Sequence, residues 1–198
     1  MAMITQAFRY AYEPIVFRSS TEKNSKPFYA LGMKFFISFT ILAFLCVMGY
    51  MDILKLIIGE GYREGLRVVP IVMAAEIMMG VYFNLSFWYK LTGETRWGAW
   101  FSVISCAVLV AVNVLFVPQY GYMACAWAGF AGYATAMVLS YAVGCKRNPI
   151  PYDMKAIGTY VLMAAAFYAV MSCLSPSLPL VPRLTVNTPL ILAFAAHI

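Results

Sequence analysis

Three ionisable residues lie inside apolar stretches of this sequence, and each of them points to a particular chemistry. Arg9 and Glu13 stand four residues apart, so on a helix they lie one turn from each other and can pair. Glu76 lies six residues beyond Pro70, within a second apolar stretch. A guanidinium in a polar cavity offers bidentate contacts to phosphate, whereas a carboxylate can hold a cation or a proton.

Each of these residues also has a structural interpretation. Arg9 and Glu13 can form an internal ion pair in a crossing helix, or belong to a helix that lies flat at the interface. Glu76 can snorkel or accept a hydrogen bond from a neighbouring helix. A charge near the bilayer centre costs about 2.5–3.5 kcal/mol on insertion scales, so all three side chains are expected to face protein or a wet cavity.

The composition favours a chain that is solvated mainly by lipid. Hydrophobic residues make up 63% of the 198 residues and charged residues 11%, against about a quarter charged in soluble domains. The mean hydropathy is +0.79. The basic residues lie between apolar runs, which argues against nucleic acid as a partner and for the lipid bilayer. The length suits about six to seven helices of ~20 residues each.

The apolar runs predict an all-α, polytopic membrane helix bundle that forms a single transmembrane domain over residues 1–198. We expect five full spans between two incomplete ones. Pro118 is expected to end the third full span, and the prolines of residues 175–185 are expected to prevent a helix there. Residues 59–67 are predicted to be a charged turn. The predicted spans are 1–17, 29–58, 68–91, 97–117, 122–144, 156–174 and 186–198.

Basic residues are unevenly distributed between the two sets of linkers. If every span crosses, the linkers at 18–28, 90–96 and 145–155 share one side, and with Lys34 they carry nine Lys and Arg against four on the other side. The positive-inside rule then makes the first set cytoplasmic.

The remaining polar, small and aromatic residues are predicted to serve packing. Asn84, Ser86 and Asn113 are expected to join neighbouring helices, and the five cysteines to be small packing residues. A row of small residues, with a second row beside it, is expected to let another helix approach closely: Ala124, Ala128, Gly132 and Ala136, then Gly121, Cys125 and Gly129. An interfacial aromatic belt is predicted at Trp88, Tyr89, Trp97 and Trp100.

Catalytic signatures are missing from the sequence. It contains no phosphate-binding glycine loop, no HExxH motif, no nucleophile elbow and no cysteine pair with metal-site spacing, and the one histidine is His197. We therefore predict no catalytic residues, no metal site, no cofactor and no enzyme activity.

Three segments taken in order resemble the C-terminal half of bacterial oligosaccharide flippases of the MATE-like superfamily. They are AFRYAYEPIVF, GYREGLRVVPIVMAAEIMMGVYFNLSFWYKLTGETRWGAW and NVLFVPQYGYMACAWAGFAGYATAMVLSY, and the resemblance covers roughly residues 1–175. It implies the second lobe of a two-lobed transporter of the bacterial inner membrane. Such transporters move undecaprenyl-pyrophosphate-linked oligosaccharide by alternating access in polysaccharide and lipopolysaccharide biosynthesis.

The resemblance also implies roles for the candidate residues. Arg9 would bind the pyrophosphate, and Glu13 would tune or shield it. The position of Glu76 within an apolar span, apart from the resemblance, makes it the candidate coupling-ion site. A complete relative would be more than twice as long, so the sequence is expected to be a fragment, a relic or one part of a split transporter. Its partner would be the missing first lobe, and the chain alone is not expected to transport.

Two other functions are compatible with the sequence. One is a cation-coupled exporter of small molecules from the same superfamily, for which an acidic residue such as Glu76 would be needed. The other is a membrane scaffold that gathers glycan enzymes without transporting.

Overall fold

Helices form all the regular structure in the part of the chain that is described, which confirms the all-α prediction. The computed structural model describes residues 1–19, 26–148, 150–174 and 180–197. In chain order the elements are α1 (Ala2–Ser19), α2 (Lys26–Gly49), α3 (Met51–Ile57), a 3-10 helix (Glu60–Val68), α4 (Val69–Leu85), α5 (Phe87–Leu91), α6 (Arg96–Tyr120), α7 (Tyr122–Arg147), α8 (Met154–Leu174) and α9 (Leu180–His197).

Five segments of the described chain are long and apolar enough to cross a membrane, which is the mark of a membrane protein. They match the five full spans predicted from the sequence. Helix α1 falls outside this set, and the apolar part of α9, Thr185–Ala196, is shorter than a full span. The five are Lys26–Gly49, Arg63–Leu91, Arg96–Tyr120, Tyr122–Arg147 and Met154–Ser172.

The first long span is shorter than predicted because the helix breaks at Tyr50. Helix α2 ends at Gly49, and α3 begins after Tyr50, whose φ and ψ are −105° and 17°. Asp52 and Lys55 follow on α3 and pair at 2.9 Å. Charged side chains are costly in hydrocarbon, so the chain turns where water can reach them.

Two predictions about proline are wrong. Helix α6 continues through Pro118 to Tyr120 and ends at Gly121, whose φ is +58°. A proline so near the C-terminal end removes one backbone hydrogen bond and leaves the rest of the helix intact. Residues 180–185 belong to α9, where Pro182 occupies the first turn, a position that tolerates proline. Residues 175–179 lie outside the described residues.

Contacts between the ends of different helices define two ends of the bundle. At one end Arg147 Nη1 donates to both carboxylate oxygens of Glu94 at 3.1 and 3.2 Å, which joins the 90–96 and 145–155 linkers. At the other end Asn187 Nδ2 donates to the carbonyl oxygen of Gly49 at 2.9 Å. We call these the Glu94 end and the Gly49 end. The 59–67 segment, predicted as a turn, forms most of the 3-10 helix, and Tyr122 donates to its Glu64 at 3.5 Å.

The first of the two small-residue rows is a packing face and the second is not. Ala124, Ala128, Gly132 and Ala136 are all buried. A Cβ added at Gly132 would lie 3.2 Å from Leu109 Cβ and 3.3 Å from the Ser105 carbonyl oxygen, so α6 packs directly on this row. The second row faces away from the bundle, because Cys125 is exposed and a Cβ at Gly129 would meet no atom within 4 Å.

Aromatic and polar side chains depart from the predicted pattern. Trp88 and Tyr89 are buried in a cluster with Tyr12 and Phe101, so they are core residues, whereas Trp100 is 63% exposed and fits a belt.

Asn84, Ser86 and Asn113 each donate to a carbonyl of their own helical stretch. They do not join helices because a carbonyl three or four residues back lies within closer reach. Cys106, Cys125 and Cys145 are exposed, which is contrary to a packing role.

The uneven distribution of basic residues predicts the orientation of the two ends. In a variant without native cysteines, we expect a cysteine at position 146 to resist a membrane-impermeant maleimide added to intact cells, because the positive-inside rule predicts that the Glu94 end is cytoplasmic. A cysteine at position 64, near the Gly49 end, is expected to react. Labelling of position 146 and protection of position 64 would reverse the orientation.

The two small-residue rows give a matched pair of variants. Gly132→Leu is expected to lower the free energy of unfolding in detergent by about 1–3 kcal/mol, because the new side chain has to displace α6. Gly129→Leu, three residues away on the same helix, should change it by less than about 0.5 kcal/mol. Equal losses in the two variants would contradict the assignment of the packing row.

Candidate functional site

The structure brings Arg9 and Glu13 together with a third residue, Lys90. Glu13 Oε1 accepts a hydrogen bond from Lys90 Nζ at 2.7 Å, and Glu13 Oε2 lies 3.8 Å from Arg9 Nε. The predicted proximity of Arg9 and Glu13 is therefore confirmed. Lys90 belongs to α5, 77 positions from Glu13, and no local spacing in the sequence indicated it. We call Arg9, Glu13 and Lys90 the α1–α5 charge cluster.

The α1–α5 charge cluster has a net charge of +1, because two basic side chains share one carboxylate. The separation of 3.8 Å between Arg9 and Glu13 is too long for a hydrogen bond, and Arg9 Nε is buried with no hydrogen-bond partner in the part of the chain that the structure describes. The guanidinium lies 4.8 Å from the centroid of the Phe83 ring, within cation–π range. Arg9 is therefore held by an aromatic face and by Coulomb attraction, and its terminal N–H groups make no hydrogen bond with any residue that the structure describes.

A small cavity lies beneath Arg9 and limits where a ligand can approach. Its volume is about 10 Å³, and Thr5, Arg9 and Asn84 supply its polar groups. Asn84 Nδ2 donates to the Gly80 carbonyl at 3.1 Å, while its Oδ1 is buried without a partner. This volume is enough for about one water molecule and far too small for a pyrophosphate. A phosphate ligand has to reach Arg9 from the exposed side of α1, where 29% of the Arg9 side chain is accessible.

Glu76 is not part of the α1–α5 charge cluster. It is half-buried on α4, seven residues before Phe83, which places it about 10 Å away along the helix axis. Glu76 makes no hydrogen bond or ion pair with any residue that the structure describes. The structure thus separates the predicted anion site from the predicted cation site.

A large apolar groove of about 640 Å³ lies between α2, α4, α7 and α8, and no residue of α1 contributes to it. Arg9 therefore does not face this groove. Tyr152, in the connection before α8, lines one part of it, and burial raises the pKa of this phenol, with smaller contributions from Tyr12 and two other neighbours. Since the pKa lies above its ordinary value of 10, Tyr152 is neutral and adds no charge to the groove.

No group of three or more metal-ligating side chains comes together in the described parts of the chain. The α1–α5 charge cluster is an arrangement of charged side chains between α1 and α5, and such an arrangement can bind an ion or an anionic group.

The Glu13–Lys90 ion pair is expected to stabilise the packing of α1. Lys90→Met should lower the free energy of unfolding by about 1–2 kcal/mol, between the values typical of exposed and of buried ion pairs, because both side chains are about 30% exposed. Lys146→Met, which alters an exposed lysine at the same end, is the control. A double-mutant cycle with Glu13→Gln measures the coupling, and a coupling of zero would show that the pair contributes nothing.

Comparison of the chain with protein-family models, with curated proteins and with solved structures gives no significant match.

Proposed function

We propose that the chain is part of a flippase of the bacterial inner membrane that moves undecaprenyl-pyrophosphate-linked oligosaccharide by alternating access. The observation that carries this proposal is the state of Arg9. Its guanidinium lies over the Phe83 ring, it makes no hydrogen bond with any described residue, and the cluster around it has net positive charge. A basic centre that keeps its donors unused suits a phosphate-bearing substrate better than a cationic one.

Each member of the cluster has a part in this proposal. Arg9 binds the pyrophosphate through its terminal N–H groups, because a guanidinium matches two phosphate oxygens at once. Lys90 adds a second positive charge within reach of Glu13. Glu13 holds Lys90 in place and reduces the net charge, so that the substrate is bound weakly enough to be released.

The exposed surface of α1 favours a partner beside this site. Met3 and Tyr10 are 86% and 68% exposed on the same helix that carries Arg9. Since alternating access works at an interface between repeats, a first lobe on the same or a separate chain would cover this face and supply the rest of the cavity. We propose that transport requires that lobe.

Glu76 favours a second candidate function, which is a cation-coupled exporter of small molecules. A half-buried carboxylate that has no partner among the described residues can bind a proton or a cation. In the flippase the same residue would be the coupling-ion site, and in the exporter it would also attract cationic substrates.

Substitution of Arg9 tests the anion site. Arg9→Gln is expected to weaken binding of undecaprenyl pyrophosphate to the purified chain in detergent about tenfold, because the loss of charge-assisted hydrogen bonds costs at least about 1.4 kcal/mol. Native mass spectrometry measures the bound fraction. Arg18→Gln is the matched control, since nine residues on the same helix are two and a half turns and place Arg18 on the opposite face. Undiminished binding by Arg9→Gln would reject the anion site.

Two readouts in cells separate flippase from exporter. In a strain without its oligosaccharide flippase, with the gene in its full genomic context, Arg9→Gln is expected to abolish rescue of surface polysaccharide. If the protein is instead an exporter, Arg9→Gln should leave resistance to cationic compounds unchanged while Glu76→Gln removes it. Rescue of polysaccharide by Arg9→Gln would count against the flippase.

A further inference from the structure

A second polar cavity, of about 450 Å³, lies at the Gly49 end, away from the α1–α5 charge cluster. It lies where α2 ends, between α3, the 3-10 helix, α8 and α9. Its lining combines basic, neutral polar and apolar side chains. Among them are Arg63, Arg67, Asn187, Met48, Met51 and Met171.

The fold sorts the charges of this region so that the cavity becomes positive. Between positions 52 and 67 the sequence holds three acidic and three basic residues, which balance. All three basic residues line the cavity, but of these acidic residues only Asp52 does, so the described part of the lining carries an excess of two positive charges. Glu60 and Glu64 lie outside the lining.

The basic residues of the cavity differ in how strongly they are already paired. Lys55 Nζ donates to Asp52 at 2.9 Å, so the positive charge of Lys55 is already paired. Arg63 lies 3.4 Å from Glu60, whose side chain is 88% exposed, and such an exposed pair is worth little. Arg67 makes no hydrogen bond or ion pair with any residue that the structure describes. Arg67, with Arg63 beside it, is therefore free to bind an anion.

Asn187 gives the cavity a second, independent sign of a ligand. Its residue surface is only 4% exposed, its Nδ2 donates to the Gly49 carbonyl at 2.9 Å, and its Oδ1 has no partner among the described residues. Because the donor is fixed by the Gly49 carbonyl, the orientation of the amide is fixed as well. A buried carbonyl oxygen without a partner is costly, so a hydrogen-bond donor in the cavity would be bound favourably.

The location and the apolar lining indicate a lipid. The cavity lies where two segments that are long and apolar enough to cross a membrane end, and the ends of such segments fall in the headgroup region of a bilayer. Met48, Met51 and Met171 line it, and methionine adapts readily to flexible acyl chains. Leu56 on the adjoining α3 is 70% exposed, which suits a short helix that rests in the interface.

We propose that this cavity binds an anionic phospholipid headgroup that carries hydroxyl donors, namely phosphoglycerol. Arg67 and Arg63 bind the phosphate, a glycerol hydroxyl donates to Asn187 Oδ1, and the acyl chains lie along the methionines. This inference does not depend on Arg9 or on transport, and it assigns the Gly49 end a lipid site of its own.

Short-chain lipids test the proposal on the purified chain in maltoside micelles, with affinity read by native mass spectrometry. Dioctanoyl phosphatidylglycerol is expected to bind. Dioctanoyl phosphatidylcholine, which is zwitterionic and has no hydroxyl donor, is expected to bind at least about tenfold more weakly. Dioctanoyl phosphatidylmethanol has the same charge without the hydroxyls, so several-fold weaker binding is expected. Inorganic phosphate separates a lipid site from a site for free phosphate.

Variants assign the contacts. Arg67→Gln should weaken phosphatidylglycerol about tenfold and Arg63→Gln about threefold, whereas Arg96→Gln, an exposed arginine at the Glu94 end, should leave it unchanged. Circular dichroism confirms that each variant is folded. The proposal fails if Arg67→Gln and Arg63→Gln both bind like the parent chain, if phosphatidylcholine binds equally well, or if inorganic phosphate binds as tightly as the lipid. Equal affinity for phosphatidylmethanol would overturn the role of Asn187.

Discussion

The high free energy of an ionised group in hydrocarbon is the constraint on which this structure depends. It confines most of the charged residues to the two ends of the helices, and it requires a compensating interaction for each one that lies deeper. Arg9 meets that requirement with an aromatic face and a carboxylate, and Glu13 meets it with Lys90. Glu76, half-buried without a partner in the described chain, is the exception, which makes it a candidate functional position.

The same constraint explains why the spans could be predicted and why their boundaries were less accurate. Runs of about twenty apolar residues identify crossing helices without knowledge of packing. Boundaries depend on single residues whose effect is decided locally. Pro118 was expected to end α6, yet near a helix end its missing N–H costs one bond only. Tyr50 breaks a run that hydropathy shows as continuous, since hydropathy averages over a window and does not register a local turn.

For the candidate site, local relations were predictable and long-range ones were not. The spacing of Arg9 and Glu13 implies their proximity on any helix. The third member, Lys90, becomes their neighbour only through the packing of α1 on α4 and α5, which no sequence spacing encodes. Trp88 illustrates the same limit, because a tryptophan beside a polar turn resembles an interfacial residue until the surrounding helices bury it.

The two polar sites differ in how the fold produces an excess of positive charge. In the α1–α5 charge cluster, two cations from distant segments share one carboxylate, so the excess arises from convergence. At the Gly49 end, the segment from position 52 to position 67 has no net charge. Its helical geometry places the three basic side chains in the lining of the cavity and two of the three carboxylates outside it. Net charge counted along the chain detects the first kind of site poorly and the second not at all. In both cases packing sets the direction of the charged side chains. An anion would respond to this local arrangement, because screening in water reduces the contribution of more distant charges.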